Sequence, residues 1–234
     1  MSYLHVELLL APLLAAALAH LGQRRGLDVK HWGYGLGVLC VIASIWTTPW
    51  DNWIVATGVW GYPPSAVLGT IWHIPVEEQA FFVVQTLMTG AWFGLLIDPT
   101  RPRAPRSAAA RACAALGALG MVAAGVFAFR EGHTYLGSML AWFGVPLAVQ
   151  FAWGADQLGR HVHAIVPGIA LPTIILCVVD TLAVQQGTWF FDEGALVGIQ
   201  IGALPLEEVV FFALTNTLVV VGLALWMELR EQPA

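Results

Sequence analysis

The sequence contains few charged residues and few cysteines. Only 11% of its 234 residues are charged, whereas 58% are hydrophobic, and the mean hydropathy is +0.73. Soluble domains carry about 25% charged residues, so this composition argues against a soluble protein. The three cysteines, Cys40, Cys113 and Cys177, lie inside apolar runs and match no metal or redox spacing. We therefore interpret them as small buried hydrophobic residues.

Several classes of protein are excluded by what is missing. The single lysine, Lys30, falls in a loop, whereas retinal proteins need a Schiff-base lysine in their last helix. The glycine-rich residues 33–37 lie inside an apolar segment rather than after a strand, so they are not a dinucleotide fingerprint. No His/Cys set suggests a metal, no Asp-rich cluster suggests a prenyltransferase, and nothing suggests nucleic acid as a partner. Residues 1–5 have no basic flank, which argues against a cleavable signal peptide.

What the chain has instead is a series of long apolar segments. A helix needs roughly 17–25 apolar residues to cross the hydrocarbon layer of a bilayer. A soluble core would explain one or two such segments, but not seven in a chain of this length. The sequence therefore predicts an all-α integral membrane protein with about seven transmembrane helices. The segments are residues 4–19, 32–47, 76–96, 112–129, 135–153, 165–183 and 206–227.

The basic residues are distributed unequally between the two sides that seven crossings would define. Nine lie on one side and only Arg130 lies on the other. Because cytoplasmic loops carry the excess of Lys and Arg, this pattern predicts a cell-membrane protein with its N-terminus outside and its C-terminus in the cytoplasm. The nine are Arg24, Arg25, Lys30, Arg101, Arg103, Arg106, Arg111, Arg160 and Arg230.

The two halves of the chain share a pattern. Residues 75–82 read PVEEQAFF, and residues 205–212 read PLEEVVFF. A second set of matches lies 129 positions apart, and Tyr3-Leu4 and Tyr135-Leu136 open the two halves. This second set consists of Asp51 with Asp180, Gly58 with Gly187, and Trp60 with Trp189. The sequence therefore predicts an internal duplication.

A linker helix sets the relative orientation of the two repeats. Three helices alone would leave the second repeat inverted, and a fourth crossing restores the first orientation. We therefore predict two parallel three-helix repeats that bring the Glu-Glu pairs to one membrane side in a single composite site. The predicted units are a first repeat at 1–98, a cytoplasmic loop with the linker helix at 99–131, and a second repeat at 132–234.

The repeated Pro-x-Glu-Glu motif has a structural and a functional interpretation. Proline and acidic residues are favourable at the start of any helix, which gives the structural interpretation at least equal weight. Carboxylates near a membrane interior are nevertheless energetically costly, which favours a functional interpretation, and the aromatic pair one turn later repeats as well. Glu78, Phe82, Gln85 and Thr89 fall on one stripe, which predicts a lined cavity in the bundle interior. Glu208, Phe212 and Thr215, with Asn216 beside them, form the matching stripe.

Such a cavity suits proton chemistry in an apolar site. Apolar surroundings favour the protonated form of a carboxyl group, and two adjacent carboxyl groups oppose double ionisation. A carboxylic acid that keeps its proton can act as a general acid, and aromatic faces stabilise a cation. These features fit protonation of an alkene, and they also fit proton-coupled transport.

The duplicated motif, together with Asp51…Gly58-x-Trp60 and Asp180…Gly187-x-Trp189, resembles the small integral-membrane lycopene cyclases. The likeness covers essentially the whole chain and corresponds to the fused, two-repeat form. It implies an isomerase-type enzyme of carotenoid biosynthesis. Such an enzyme closes the acyclic ends of lycopene to β-rings, yielding β-carotene through γ-carotene, without net redox change.

The resemblance also implies which residues form the site. The family's Pro-x-Glu-Glu carboxylates map onto Glu77, Glu78, Glu207 and Glu208, and we favour Glu78 and Glu208 as the acids that face the substrate. No metal and no cofactor is predicted, and the fingerprint of the flavin-dependent cyclases is missing. The residues expected to line or support the site are Phe81, Phe82, Gln85, Phe211, Phe212, Asn216, Asp51, Asp180, Trp60 and Trp189.

Other functions remain open at this stage. A carotenoid end-group hydratase, or a cyclase that makes ε or C50 rings, would share the protonation step. A carotenoid-binding protein or a proton-coupled transporter would use the same buried acids without cyclisation. The expected partners are lycopene, other linear carotenoids and membrane lipids. Association with a second copy of the chain or with other carotenoid enzymes is left open.

Overall fold

The computed structural model describes residues 2–24 and 26–230. Arg25 and the side chain of Arg230, both counted above among the basic residues, lie outside this description. Within it, α-helices carry most of the chain and short strands connect them. The helices are α1 (Tyr3–Gly22), α2 (Val29–Ala56), α3 (Val76–Leu96), α4 (Ala108–Arg130), α5 (Thr134–Leu158), α6 (Val162–Gln185) and α7 (Leu206–Arg230).

Each apolar segment predicted from the sequence lies within one of these helices. Among the described residues, five helical stretches are long and apolar enough to cross a membrane. They are Tyr3–Gly22, Val76–Leu96, Ala108–Arg130, Thr134–Gln185 and Leu206–Leu229, and the fourth of them contains both α5 and α6. Helix α2 falls outside this set because glycines, tryptophans and threonines interrupt its aliphatic residues.

Helices α3 and α7 form the centre of the bundle. They pack against each other, and each carries two further helices on its flanks. Helices α1 and α2 pack on α3, while α5 and α6 pack on α7. Contacts of α3 with α6 and of α2 with α7 join the two groups. Both Glu-Glu pairs lie in the first turns of these central helices, so the bundle core forms around them.

Helix α4 packs mainly along α5, and glycines bring the two backbones together. A Cβ atom at Gly137 would lie 2.3 Å from the backbone nitrogen of Phe129, closer than real Cβ contacts come. A Cβ atom at Gly125 would lie 2.5 Å from the nitrogen of Ala141. Both sites meet backbone rather than a flexible side chain, so the close approach of α4 and α5 depends on glycine.

Gly137→Ala is expected to lower the stability of the protein by about 1–3 kcal/mol, because the added methyl group overpacks a backbone contact. Gly120→Ala on α4 is the control, since no described atom beyond the neighbouring backbone of its own helix lies within 4 Å of its added Cβ. Thermal unfolding in detergent would measure both variants. Equal unfolding temperatures for the two would contradict the close-packing argument.

Short strands occur in the connecting segments, which the all-α prediction did not contain. Strands β2 (Thr70–Ile71) and β3 (Ile74–Pro75) form a hairpin immediately before α3, and β5 (Gln200–Ile201) and β6 (Leu204–Pro205) do the same before α7. Strand β1 (Trp60–Gly61) pairs with β4 (Phe190–Phe191), so the two connections are hydrogen-bonded to each other. Because each hairpin ends directly before α3 or α7, it fixes the position of the Glu-Glu pair in the first turn of that helix.

The opposite end of the bundle is held by ion pairs around a buried acid. Glu228 lies 3.2 Å from Arg103, 3.5 Å from Arg160 and 3.4 Å from His161. Arg24 donates to the carbonyl oxygen of Ile97 at the end of α3. Basic residues from several connections therefore converge on the end of the bundle away from the Glu-Glu pairs.

The interpretation of the cysteines as buried residues was wrong. Cys113 is exposed on α4, and Cys40 and Cys177 are half-buried. Because outward-facing positions of an apolar helix carry the same residue types as inward-facing ones, composition alone did not distinguish the two faces.

Candidate active site

A cavity lies between the two halves of the chain, at the end of the bundle that carries the Glu-Glu pairs. It contains about 590 Å³ of space not filled by protein atoms, counting the part that opens outward. Four acids and a set of aromatic rings line it. The predicted site residues in this lining are Glu78, Glu208, Asp51, Asp180, Trp60, Trp189, Phe81, Phe211 and Phe212.

Each cavity-lining glutamate accepts a hydrogen bond from a buried tyrosine. The Tyr3 hydroxyl donates to Oε2 of Glu78, and the Tyr135 hydroxyl donates to Oε1 of Glu208. All four residues are at least nine-tenths buried. Each tyrosine lies in the first turn of its helix, α1 or α5, so the start of one helix fixes the carboxyl group at the start of another.

The two aspartates are oriented by indoles. Trp60 Nε1 donates to Oδ1 of Asp51 over 2.9 Å, and Trp189 Nε1 donates to Oδ1 of Asp180 over 2.7 Å. Among the residues that the structure describes, the second oxygen of each aspartate is buried and has no hydrogen-bond partner. Each carboxyl group of this wall therefore has one oxygen held by an indole and a second oxygen that is buried without such a bond.

The other glutamate of each pair has a different position. Oε1 of Glu77 accepts the backbone N–H of Leu68 over 2.7 Å, and Oε1 of Glu207 accepts that of Val197 over 2.6 Å. These backbone groups belong to the connections that lead into the two hairpins. Glu77 and Glu207 are buried but do not line the cavity. Their geometry ties the hairpins to α3 and α7.

Aromatic rings form much of the remaining wall. Trp50 stacks on Tyr135 and on Phe211, with ring centroids 6.0 Å and 5.8 Å away and rings nearly parallel. Phe81 meets Phe212 across the two central helices at 6.3 Å, in an edge-to-face arrangement. A positive charge in this cavity would face aromatic π-electrons on several sides.

Besides Glu77 and Glu207, three further predicted residues lie outside this wall. Phe82 and Gln85 line a neighbouring cavity. Asn216 is fully buried, accepts hydrogen bonds from Gln85 and Thr89, and donates to Thr173. The α3 stripe is thus buried as its spacing predicts. Its residues Gln85 and Thr89, about two and three turns after the Glu-Glu pair, belong to a polar network that joins α3, α6 and α7.

The sequence model of the family described as lycopene cyclase matches residues 2–96 and 132–226. The chain belongs to the lycopene cyclase family. Both matched segments contribute acids to the cavity, and the unmatched residues between them contain the whole of α4. The family assignment therefore covers the site as well as the fold.

Known relatives agree with the assignment to lycopene cyclases. The chain is 39% identical to a lycopene beta-cyclase of Halobacterium salinarum over 82% of this chain and 81% of that protein. It is 35% identical to a bifunctional lycopene cyclase/phytoene synthase of Arthroderma gypseum, over 80% of this chain but 35% of that longer protein. A crystal structure of a cross-linked MvINS trimer shares the fold, with a TM-score of 0.51, 20% identity, and coverage of 86% of this chain and 97% of that one.

Within this lycopene cyclase, the sequence argument did not identify Tyr3, Tyr135 and Trp50 as site residues. The two tyrosines were visible as the matching openings of the repeats, and that correspondence was the available signal. Their partners lie 75 and 73 residues away, so only the packing of α1 on α3 and α5 on α7 makes the contact. Trp50 has no counterpart in the second repeat, where Val179 stands.

The arrangement can hold and move protons at fixed positions. Two glutamates are oriented by hydroxyl donors, two aspartates lie in the same wall, and the rest of the lining is mostly aromatic and aliphatic. Across residues 2–24 and 26–230, no group of three or more His, Cys, Asp or Glu residues is arranged to hold a metal ion. The chemistry that these side chains themselves can perform is acid–base chemistry on an apolar molecule.

Proposed function

We propose that this chain is a lycopene β-cyclase that converts the acyclic ends of lycopene to β-rings. The observation that carries the proposal is the pair Glu78 and Glu208, each bonded to a tyrosine hydroxyl, in one aromatic-lined cavity. The proposal is further supported by the 39% identical lycopene beta-cyclase, which matches over most of both chains.

The reaction begins with the addition of a proton to the substrate and ends with the removal of a proton from the ring. The carboxylic acid of Glu78 or Glu208 donates H⁺ to the terminal double bond of an acyclic end, which leaves a carbocation. The next double bond attacks this cation and closes the six-membered ring. A carboxylate of the same wall then removes a ring proton and forms the ring double bond. No electrons are exchanged with a second compound, so we propose no redox cofactor and no metal.

The residues around the two glutamates assist the reaction in three ways. The tyrosine hydroxyls fix the direction of the two glutamates, which keeps each acid within reach of one position in the cavity. The faces of Trp50, Phe211 and Phe212 stabilise the intermediate cation and exclude water. Asp51 and Asp180 offer carboxylate oxygens beside the cavity that can accept a proton.

We further propose seven membrane crossings arranged as two parallel repeats, 1–98 and 132–234, joined by the linker segment 99–131. Equivalent contacts support this layout, because Tyr3–Glu78, Trp60–Asp51 and Leu68–Glu77 each have a counterpart in the second half. The basic residues gathered at the opposite end support an orientation with the N-terminus outside and the C-terminus in the cytoplasm. The substrate would then meet the acids in the outer half of the bilayer.

Expression of the chain in bacteria that accumulate lycopene is expected to yield bicyclic or monocyclic carotenoids. Chromatography with mass spectrometry would measure the products, which keep the mass of lycopene because cyclisation is an isomerisation. Recovery of unchanged lycopene from membranes that contain the folded protein would contradict the proposal. A product heavier by one water would instead identify an end-group hydratase.

A further inference from the structure

A second, larger concavity adjoins the catalytic cavity and has no role so far. It lies between α2 and α5, with α4 as its third wall, and contains about 960 Å³ of space, counting the part that opens outward. We call it the α2–α5 groove. Its wall is predominantly apolar, and Trp46, Trp53, Phe129 and Trp142 provide four aromatic side chains.

One side chain separates this groove from the catalytic cavity. Trp50 lines both spaces, and its Nε1 donates to Oγ of Ser138 over 3.2 Å. The same indole stacks on Tyr135, whose hydroxyl binds Glu208. Two side chains, those of Trp50 and Tyr135, therefore connect the groove to Glu208, a proposed catalytic acid.

The two sides of the cavity are unequal. On one side α1 packs directly against α6, and the ring of Tyr3 lies 4.9 Å from that of Trp189. On the other side α2 and α5 meet through indoles, with Trp46 and Trp142 at 5.1 Å and Trp142 Nε1 bonded to the carbonyl oxygen of Trp46. The α1–α6 side is thus packed by direct contact between the helices, whereas on the α2–α5 side the groove lies beside the indoles and is separated from the catalytic cavity by Trp50.

The groove has the lining that a long conjugated chain requires. Its mouth exposes Trp53, Val126, Phe129 and Val145, which are between 37% and 42% accessible, and the lining also includes the exposed Arg130 at the end of α4. Flat aromatic rings pack well against a flat polyene, and an apolar mouth opens to hydrocarbon rather than to water. A linear substrate with one end at Glu78 and Glu208 must also place the rest of its length outside the catalytic cavity.

We propose that the α2–α5 groove is the lateral entrance and the binding site for the polyene chain of the substrate. This assignment rests on the proposed cyclase function. Trp50 forms the partition between the groove and the catalytic cavity, and an acyclic end of the substrate passes it to reach the acids. One end enters at a time, while the conjugated chain lies along Trp46, Trp142 and Phe129.

Narrowing the groove tests the assignment. Val145→Trp on α5 and Val126→Trp on α4 each add bulk to one wall at an exposed position, where folding tolerates the larger side chain. Leu13→Trp is the matched control, because Leu13 holds the position on α1 that Val145 holds on α5, is similarly exposed, and lies outside the groove. In phosphatidylcholine vesicles, both groove variants are expected to lose about tenfold in kcat/KM for lycopene, equivalent to about 1.4 kcal/mol, with the control near wild type.

Binding provides a second readout that does not depend on turnover. Lycopene is achiral, so it gains a circular dichroism band only when an asymmetric site holds it. Lycopene bound to the wild-type protein and to Leu13→Trp is expected to show this band, and the two groove variants are expected to lose most of it. Retention of the band and of full activity in both groove variants overturns the proposal, as does an equal loss in the control. If the wild-type chain makes no cyclic carotenoid, the proposed function fails instead.

Discussion

Replacing Glu78 or Glu208 by glutamine is expected to lower the cyclisation rate by about 10²- to 10⁴-fold, the usual contribution of a general acid. Glutamine keeps the size of the side chain and an oxygen that can accept the tyrosine hydrogen bond, but it has no acidic proton. The loss should therefore be a loss of chemistry. Carotenoid production in lycopene-accumulating cells, and rates in vesicles, would measure it.

The two single variants also distinguish one composite site from two independent sites. Both glutamates line one cavity, so each single substitution should abolish cyclisation of both ends of lycopene. Retention of about half of the wild-type rate in either variant would contradict a shared site. Glu131→Gln is the control, because Glu131 is an exposed acid at the same end of the bundle and lies outside the cavity lining. It should retain wild-type activity.

The second large effect is expected at Glu207, where loss of the side chain should lower the stability of the protein. Glu207→Ala removes the acceptor of the Val197 N–H and should lower stability by about 1–3 kcal/mol, because a partly buried donor is left unsatisfied. Glu207→Gln keeps an acceptor oxygen and should cost less. Thermal unfolding in detergent and the cyclisation rate would be measured on both variants.

The control for Glu207 is Asp192→Ala. Asp192 also accepts a backbone N–H, that of Gly194, but it does so in an exposed turn where water can replace it. Its loss should be small. If Glu207→Gln kept its stability yet lost activity as completely as Glu208→Gln, Glu207 would take part in proton transfer, and the positioning role would be wrong.

These two predictions assign different roles to the two glutamates of a Glu-Glu pair, which residue type alone does not distinguish. Within each Glu-Glu pair the neighbours are equivalent in type and in their distance from the proline. Helix phase favoured Glu78 and Glu208 as the residues that face the substrate, and the cavity lining contains these two. The hydrogen bonds of Glu77 and Glu207 depend on where the hairpin backbone folds back over the helix start, and no periodicity reports that.

The sequence alone determined the apolar composition, the helical segments and the acidic motif, and it predicted the duplication, because each follows from composition, length or internal matching. It did not reveal the short hairpins, whose paired strands span two residues each and leave no periodic signal. Nor did it reveal that Phe82 and Gln85 line a space different from that of Glu78, since a stripe predicts which face is buried but not which cavity that face meets.

Tertiary structure alone decided which distant residues meet. Tyr3 reaches Glu78, Tyr135 reaches Glu208, and Trp50 divides the cavity from the α2–α5 groove because whole helices pack side by side. Helix α4 packs along α5 and supplies one wall of the α2–α5 groove, and no linear pattern predicted that contact. A linear pattern records the types and spacing of residues, whereas contacts between helices depend on packing that the whole chain determines together.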